Sequence, residues 1–188
     1  MKLFNIIASD YKKYSNRDKI IFFKTILSVF GNASFRAVFL YRLSNFFDNK
    51  RIYILAYSFE KLMHFTTITW IGRKAQIDPG FVIRHVGGIV IGGKSVIGEN
   101  CEIRQGVTLG GNLGKEKYGT TQPILGDNIL IGAGAKILGP VKIGDNCIIG
   151  ANAVVVSDIP ENSVVGGIPG RVLREVRYNE NPLSKSFL

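Results

Sequence analysis

An aliphatic residue returns every six positions through the middle of this chain. It falls at Ile71, Ile77 and Ile83, then at Ile91, Ile97, Ile103 and Leu109, and again at Leu125, Ile131, Ile137, Ile143, Ile149 and Val155. Glycine follows it in IGRKAQ, IGGKSV, IGENCE, LGDNIL, IGAGAK, IGDNCI and IGANAV. A helix would repeat its apolar residues at three and four, and a simple strand at two. A six-residue period with glycine at one place predicts a β-solenoid, in which each hexapeptide makes one short strand and one corner. Three hexapeptides close a triangular coil, so about five coils fit between Ile71 and Val164. Stacked aliphatics then form a continuous core, each worth roughly 1.5–3 kcal/mol when buried.

The residues before the repeat read differently. Phe4, Ile7 and Tyr11 recur at helical spacing, Asn16 to Asp18 mark a break, and KIIFFKTILSVF ends at Gly31-Asn32. Ser34 is placed to cap the next helix, FRAVFLYRLSNFF, and a further helix runs from about Ile52 to His64. Residues 1–70 are therefore expected to form an α-helical cap over the open edge of the first coil, whose backbone groups need partners. The solenoid domain spans 71–170, with an extruded loop over 110–124. Residues 171–188 read as a short helix, LREV, and a flexible tail.

Charge is concentrated in the cap, which holds eleven Lys/Arg against four Asp/Glu of a whole-chain net charge of +10. Nucleic acid is the first partner such a balance suggests, but no recognition helix or RNA-binding motif accompanies it, so none is expected. A basic, aromatic-rich segment instead suits a solvated helix surface, or peripheral contact with anionic lipid. The start carries no signal peptide, and Glu60, Lys61 and His64 interrupt the most apolar stretch, so a cytoplasmic protein, or one at the inner membrane surface, is expected. Cys101 and Cys147 share one hexapeptide position and read as small apolar filler. No metal site is expected, because no ligand spacing joins them to the two histidines.

Two places break the period, and loops leaving a rigid scaffold are where function concentrates. One is RHVGGIV, two residues longer than the repeat; the other is Gly110 to Ile124, glycine-rich, polar and charged. His85 lies off the core axis near a corner, so it is either surface decoration or a proton-transfer group. Imidazole, with an ordinary pKa of ~6.5, suits removal of a hydroxyl proton at neutral pH.

From Ile83 through Val176 the chain resembles the serine acetyltransferase branch of the hexapeptide-repeat acyltransferases. The matching motifs are RQGVTLGGN, IGAGAKILGPVKIGDNCIIGANAVV and VVGGIPGRVL, with FRAVFLYRLSNFF in the cap. The resemblance implies a mainly β fold, a left-handed parallel β-helix, assembled as a homotrimer with acetyl-CoA as donor. It makes His85 the base that activates the acceptor hydroxyl for direct attack on the thioester. Gly110 and Gly111 match the turn beside the thioester arm. Ala133, Gly134, Gly150 and Ala151 match the coil edges along the pantetheine, and Arg171 a basic place near the nucleotide.

The acceptor is less well matched. Trp70 stands fifteen residues before the base and Arg84 immediately before it, where that branch has aspartates. Thr121 and Gln122 stand where it has an Arg-His pair, and Asp18 only approximates its cap aspartate. Asp78 or Glu102 is left as a candidate to orient His85. A zwitterion needs both a carboxylate and a cation, so these departures favour a saccharide of capsule or exopolysaccharide synthesis, met by Arg84, Trp70, Tyr118 and Gln122. Serine O-acetylation for cysteine synthesis is the alternative, and a non-catalytic solenoid scaffold the alternative of another class.

Overall fold

The computed structural model describes residues 3–15, 22–112 and 114–177. Four helices lead the chain: α1 (Leu3–Ser15), α2 (Phe22–Gly31), α3 (Ala33–Asn49) and α4 (Tyr53–Thr67). Fifteen short strands follow and stack in three sheets. The first sheet holds β1 (Thr69–Ile71), β4 (Ile89–Ile91), β7 (Thr108–Gly110), β10 (Lys136–Leu138) and β13 (Val154–Val155). The second holds β2 (Gln76–Ile77), β5 (Val96–Ile97), β8 (Ile124–Leu125) and β11 (Lys142–Ile143). The third holds β3 (Val82–Ile83), β6 (Glu102–Ile103), β9 (Leu130–Ile131), β12 (Ile148–Ile149), β14 (Ser163–Gly166) and β15 (Arg171–Glu175).

Every neighbouring pair is parallel and in register except the last, so Ile71, Ile91 and Leu109 stack directly, as do Ile83, Ile103 and Ile131. These inward residues are fully buried. Five coils result, as the six-residue period predicts, the fifth completed by the Ile143–Ile159 bridge. The glycine after the inward residue is required by crowding. A Cβ on Gly132 would lie 2.5 Å from the Ala151 nitrogen of the next coil. Phe81, Cys101, Ile129 and Cys147 fill the same buried layer. Burial pushes the Cys101 thiol up to about 12, so it packs as an inert apolar group.

The cap covers the open edge of the first coil with side chains that act as a missing strand. Asp10 of α1 accepts from the Gly80 and Phe81 amides at 2.9 and 3.0 Å. The Tyr14 hydroxyl accepts from Ile83 N–H at 2.8 Å and donates to Ile83 C=O at 3.1 Å. Burial raises the Tyr14 pKa, so the phenol keeps the proton it donates. From α3, Arg42 donates to the Ile77 and Asp78 carbonyls and pairs with Asp10 at 2.8 Å. Among the described residues no helix is long and apolar enough to cross a membrane.

Two readings of the chain change. Asn32, not Ser34, caps α3, accepting from Phe35 N–H at 3.0 Å, because the helix begins two residues earlier, at Ala33. Ser34 instead donates to the Arg84 carbonyl at 3.0 Å. The expected helix at LREV is β15, which turns back antiparallel onto β14. The unpaired edge of the last coil offers a row of hydrogen bonds that so short a helix could not match. The break at Asn16 to Asp18 and the tail beyond Arg177 lie outside the described residues.

Candidate active site

Each coil has three corners, and parallel register aligns equivalent corners into a ridge. His85 occupies the corner between the third and first sheets, after β3. Hydrogen bonds trace that corner down the solenoid. Gly106 N–H donates to Gly87 C=O at 2.8 Å, Gly134 N–H to Gln105 C=O at 2.9 Å, and Asn152 N–H to Ala133 C=O at 2.9 Å. The residues IGAGA and IGANA therefore lie on the ridge that begins at His85. With coils ~4.8 Å apart, Ala133 is ~10 Å and Ala151 ~14 Å along it.

Beside that ridge runs a groove of about 300 Å³, lined by Leu130, Ile148 and Val164 as well as by Gly132, Ala133, Gly150 and Ala151. Arg104 and Arg174 line it too. Three of the residues expected along the pantetheine, Ala133, Gly150 and Ala151, are thus brought together. Gly134 is on the same ridge with φ +73°, but outside the groove lining. Arg171 is exposed at the start of β15 and is not part of the lining; Arg174, on the same strand, is. Arg104 was missed as a site residue, although it is one of only two arginines to replace the glycine after an inward isoleucine.

His85 is exposed in the protomer, and its backbone is held from before. Tyr14 brackets Ile83, Ser34 holds the Arg84 carbonyl, and the Arg84 guanidinium pairs with Glu102 at 2.8 Å. Glu102 is buried and spent on Arg84, and its bond and charge hold the Arg84 pKa above the ordinary guanidinium value. Asp78 is exposed at a different corner, between the second and third sheets. Neither carboxylate hydrogen-bonds His85.

The remaining predicted residues lie on the first sheet or beyond its far corner. Trp70 projects from its outer face beside Val90 and is 39% exposed, so it is not a core residue. Gly110 ends β7, and Gly111 and the extruded loop leave at the corner between the first and second sheets. Gln122 returns to that corner, accepting from Lys94 N–H at 2.8 Å. Tyr118 is carried further, onto the second sheet. Its hydroxyl donates to Asp158 at 2.7 Å, and Lys142 stands 3.8 Å over its ring. Lys117 also reaches Asp158, at 2.7 Å. One protomer therefore separates His85 from Gln122 by the width of a sheet, and Tyr118 is engaged as a latch. Asp18 lies outside the described residues, and among those described no cluster of three metal-ligating side chains occurs.

Fold and ridge together define a hexapeptide-repeat transferase. The family model for bacterial transferase hexapeptide (six repeats) matches residues 122–157. A serine acetyltransferase of Synechococcus elongatus is 35% identical over 98% of this chain and 74% of its own length. One of Staphylococcus aureus is 42% identical over 76% of this chain, which spans 66% of that enzyme. The solved serine acetyltransferase of Vibrio cholerae superposes with a TM-score of 0.83 at 30% identity, over 96% of this chain and 69% of that one. That of Brucella abortus, solved with coenzyme A, gives 0.79 at 30% identity, over 92% and 68%. The chain belongs to the serine acetyltransferase family, the acetyl-CoA-dependent O-acetyltransferases of the hexapeptide-repeat class.

Proposed function

We propose that the chain transfers acetyl from acetyl-CoA to the hydroxyl of serine, with His85 as general base. The observation that carries this is the shared ridge. His85 stands on the ridge one coil before the groove begins at Arg104, and the glycine and alanine edges of that groove suit a pantetheine arm, in a chain related along 98% of its length to a serine acetyltransferase. His85 takes the hydroxyl proton as the oxygen attacks the thioester carbonyl carbon. The tetrahedral intermediate collapses with cleavage of the C–S bond, and the proton passes to the departing thiolate. No covalent enzyme intermediate is required.

The two halves of the predicted site flank the first sheet at its two corners. Packing that sheet about a threefold axis sets the His85 corner of one copy against the Gly110–Gln122 corner of the next. This supports a homotrimer in which donor and acceptor sites are completed between copies. Two free, buried cysteines fit a reducing cytoplasm.

A saccharide acceptor is the second reading. The residues favoured it, and the comparisons support serine better. Its specific support is the exposed Trp70 and the engagement of Glu102 by Arg84, which leaves no carboxylate at the His85 corner for an ammonium among the described residues. Peripheral lipid contact rests on the basic cap and on exposed Ile54 and Phe65 of α4, and vesicle pelleting tests it. Thiol release from acetyl-CoA with serine, against a panel of neutral and acidic sugars, decides between acceptors.

A further inference from the structure

Arginine replaces the post-isoleucine glycine twice, at Arg84 and Arg104, and parallel register stacks these two residues on the His85 ridge. Arg84 N–H donates to Ile103 C=O at 3.0 Å, so Arg104 is its neighbour in the next coil. Their surroundings differ. Arg84 pairs with Glu102, whereas Arg104 makes no side-chain hydrogen bond or ion pair among the described residues. The Nε atoms of both are buried without a partner. A half-buried guanidinium lining a groove, with its N–H fork unspent, is a site for a planar anion.

The donor does not call for that charge. Acetyl-CoA carries its negative groups at the nucleotide, separated from the thioester by an uncharged pantetheine arm. If the thioester lies at His85, Arg104 is ~5 Å away along the ridge and Arg174 ~24 Å, five strand spacings. Arg174 is therefore at the phosphate end, and Arg104 at the end where acyl group and acceptor meet.

We infer that Arg104, stacked on Arg84, receives a carboxylate of the acceptor. The inference rests on the acetyl-transfer reading and deepens it, since the cation absent at Thr121 and Gln122 is supplied instead from the ridge. The acceptor class is a hydroxy compound with a carboxylate close to the reacting hydroxyl, as in serine or a uronic acid.

The test compares kcat/KM for serine with serinamide, and for glucuronate with glucose, in the wild type, Arg104→Gln and Arg104→Lys. A charged bidentate contact is worth about 10–100-fold. The carboxylate member of a pair should be preferred by that factor, Arg104→Gln should bring the ratio near one, and Arg104→Lys should keep part of it. The KM for acetyl-CoA and the melting temperature should hardly move. Equal use of serine and serinamide by the wild type overturns the inference and leaves serine acetylation standing. Turnover of glucuronate but not glucose or serine removes serine as acceptor and upholds the role of Arg104. A raised KM for acetyl-CoA in Arg104→Gln, with acceptor preference intact, assigns the arginine to the donor and overturns the inference.

Discussion

Replacing Asp10 with alanine strips the first coil of the group that stands in for a strand. Asp10 is fully buried, bonds the Gly80 and Phe81 amides, and neutralises Arg42, itself only 5% exposed. Removing one partner of a buried pair costs about 3–5 kcal/mol, because the other charge stays in the interior uncompensated. That is a large share of a typical domain stability of about 5–15 kcal/mol. At about 2–4 °C per kcal/mol for a chain of this size, the melting temperature should fall by roughly 6–20 °C. Circular dichroism on Asp10→Ala, Arg42→Met and the double variant measures it. The double variant leaves neither charge buried, so it should be more stable than the sum of the single losses predicts, by about 0.5–3 kcal/mol. A fall below ~2 °C for Asp10→Ala, or additive losses, would refute the edge-clamp account.

Four further outcomes follow from the geometry. Gly132→Ala should destabilise by about 1–3 kcal/mol, seen in thermal melts, since the new methyl meets the Ala151 backbone nitrogen at 2.5 Å. Arg174→Gln should raise the KM for acetyl-CoA several-fold and Arg171→Gln hardly at all, as Arg174 lines the groove at its phosphate end and Arg171 does not line it; initial-rate kinetics distinguishes them. Asp158→Asn should free the extruded loop from Lys117 and Tyr118, so trypsin should cut at Lys115 or Lys117 faster than in the wild type. Lys117 and the Lys142 amide hold the Asp158 carboxyl down at about 2. A depressed carboxylate stabilises above its unfolded pKa of ~3.9 and loses that contribution as pH falls through the folded value. Loop protection should therefore persist at pH 5 and fade between about pH 4 and 2, as pulse digestion with an acid-active protease would show.

The six-residue period made the solenoid legible because each coil obeys the same local rule. Ile83, Ile103 and Ile131 each face the axis by position alone. His85 stands out as a candidate for the opposite reason, as a titratable residue where the rule fails. Partners fixed by the docking of remote elements were not legible. No local pattern announces that Tyr14 will bracket Ile83, 69 residues away, or that Tyr118 will reach Asp158 across 40. LREV carries a helical composition, and only the bare edge of β14 turns it into a strand. Arg104 could have been found from the sequence, since the arginine-for-glycine exchange at 84 recurs twenty residues later, where the next coil returns to the same corner. The acceptor was read from missing serine contacts, whereas relatives and the arginine ridge point back toward a small carboxylated hydroxy compound.

The most direct test of the account is acceptor-dependent thiol release from acetyl-CoA by the wild type and by His85→Ala, with serine as acceptor. The account predicts turnover of serine, O-acetylserine as product, and a rate lowered about 10²–10⁴-fold in the variant. An unchanged rate in His85→Ala, or thiol release that no added hydroxyl compound accelerates, would contradict it.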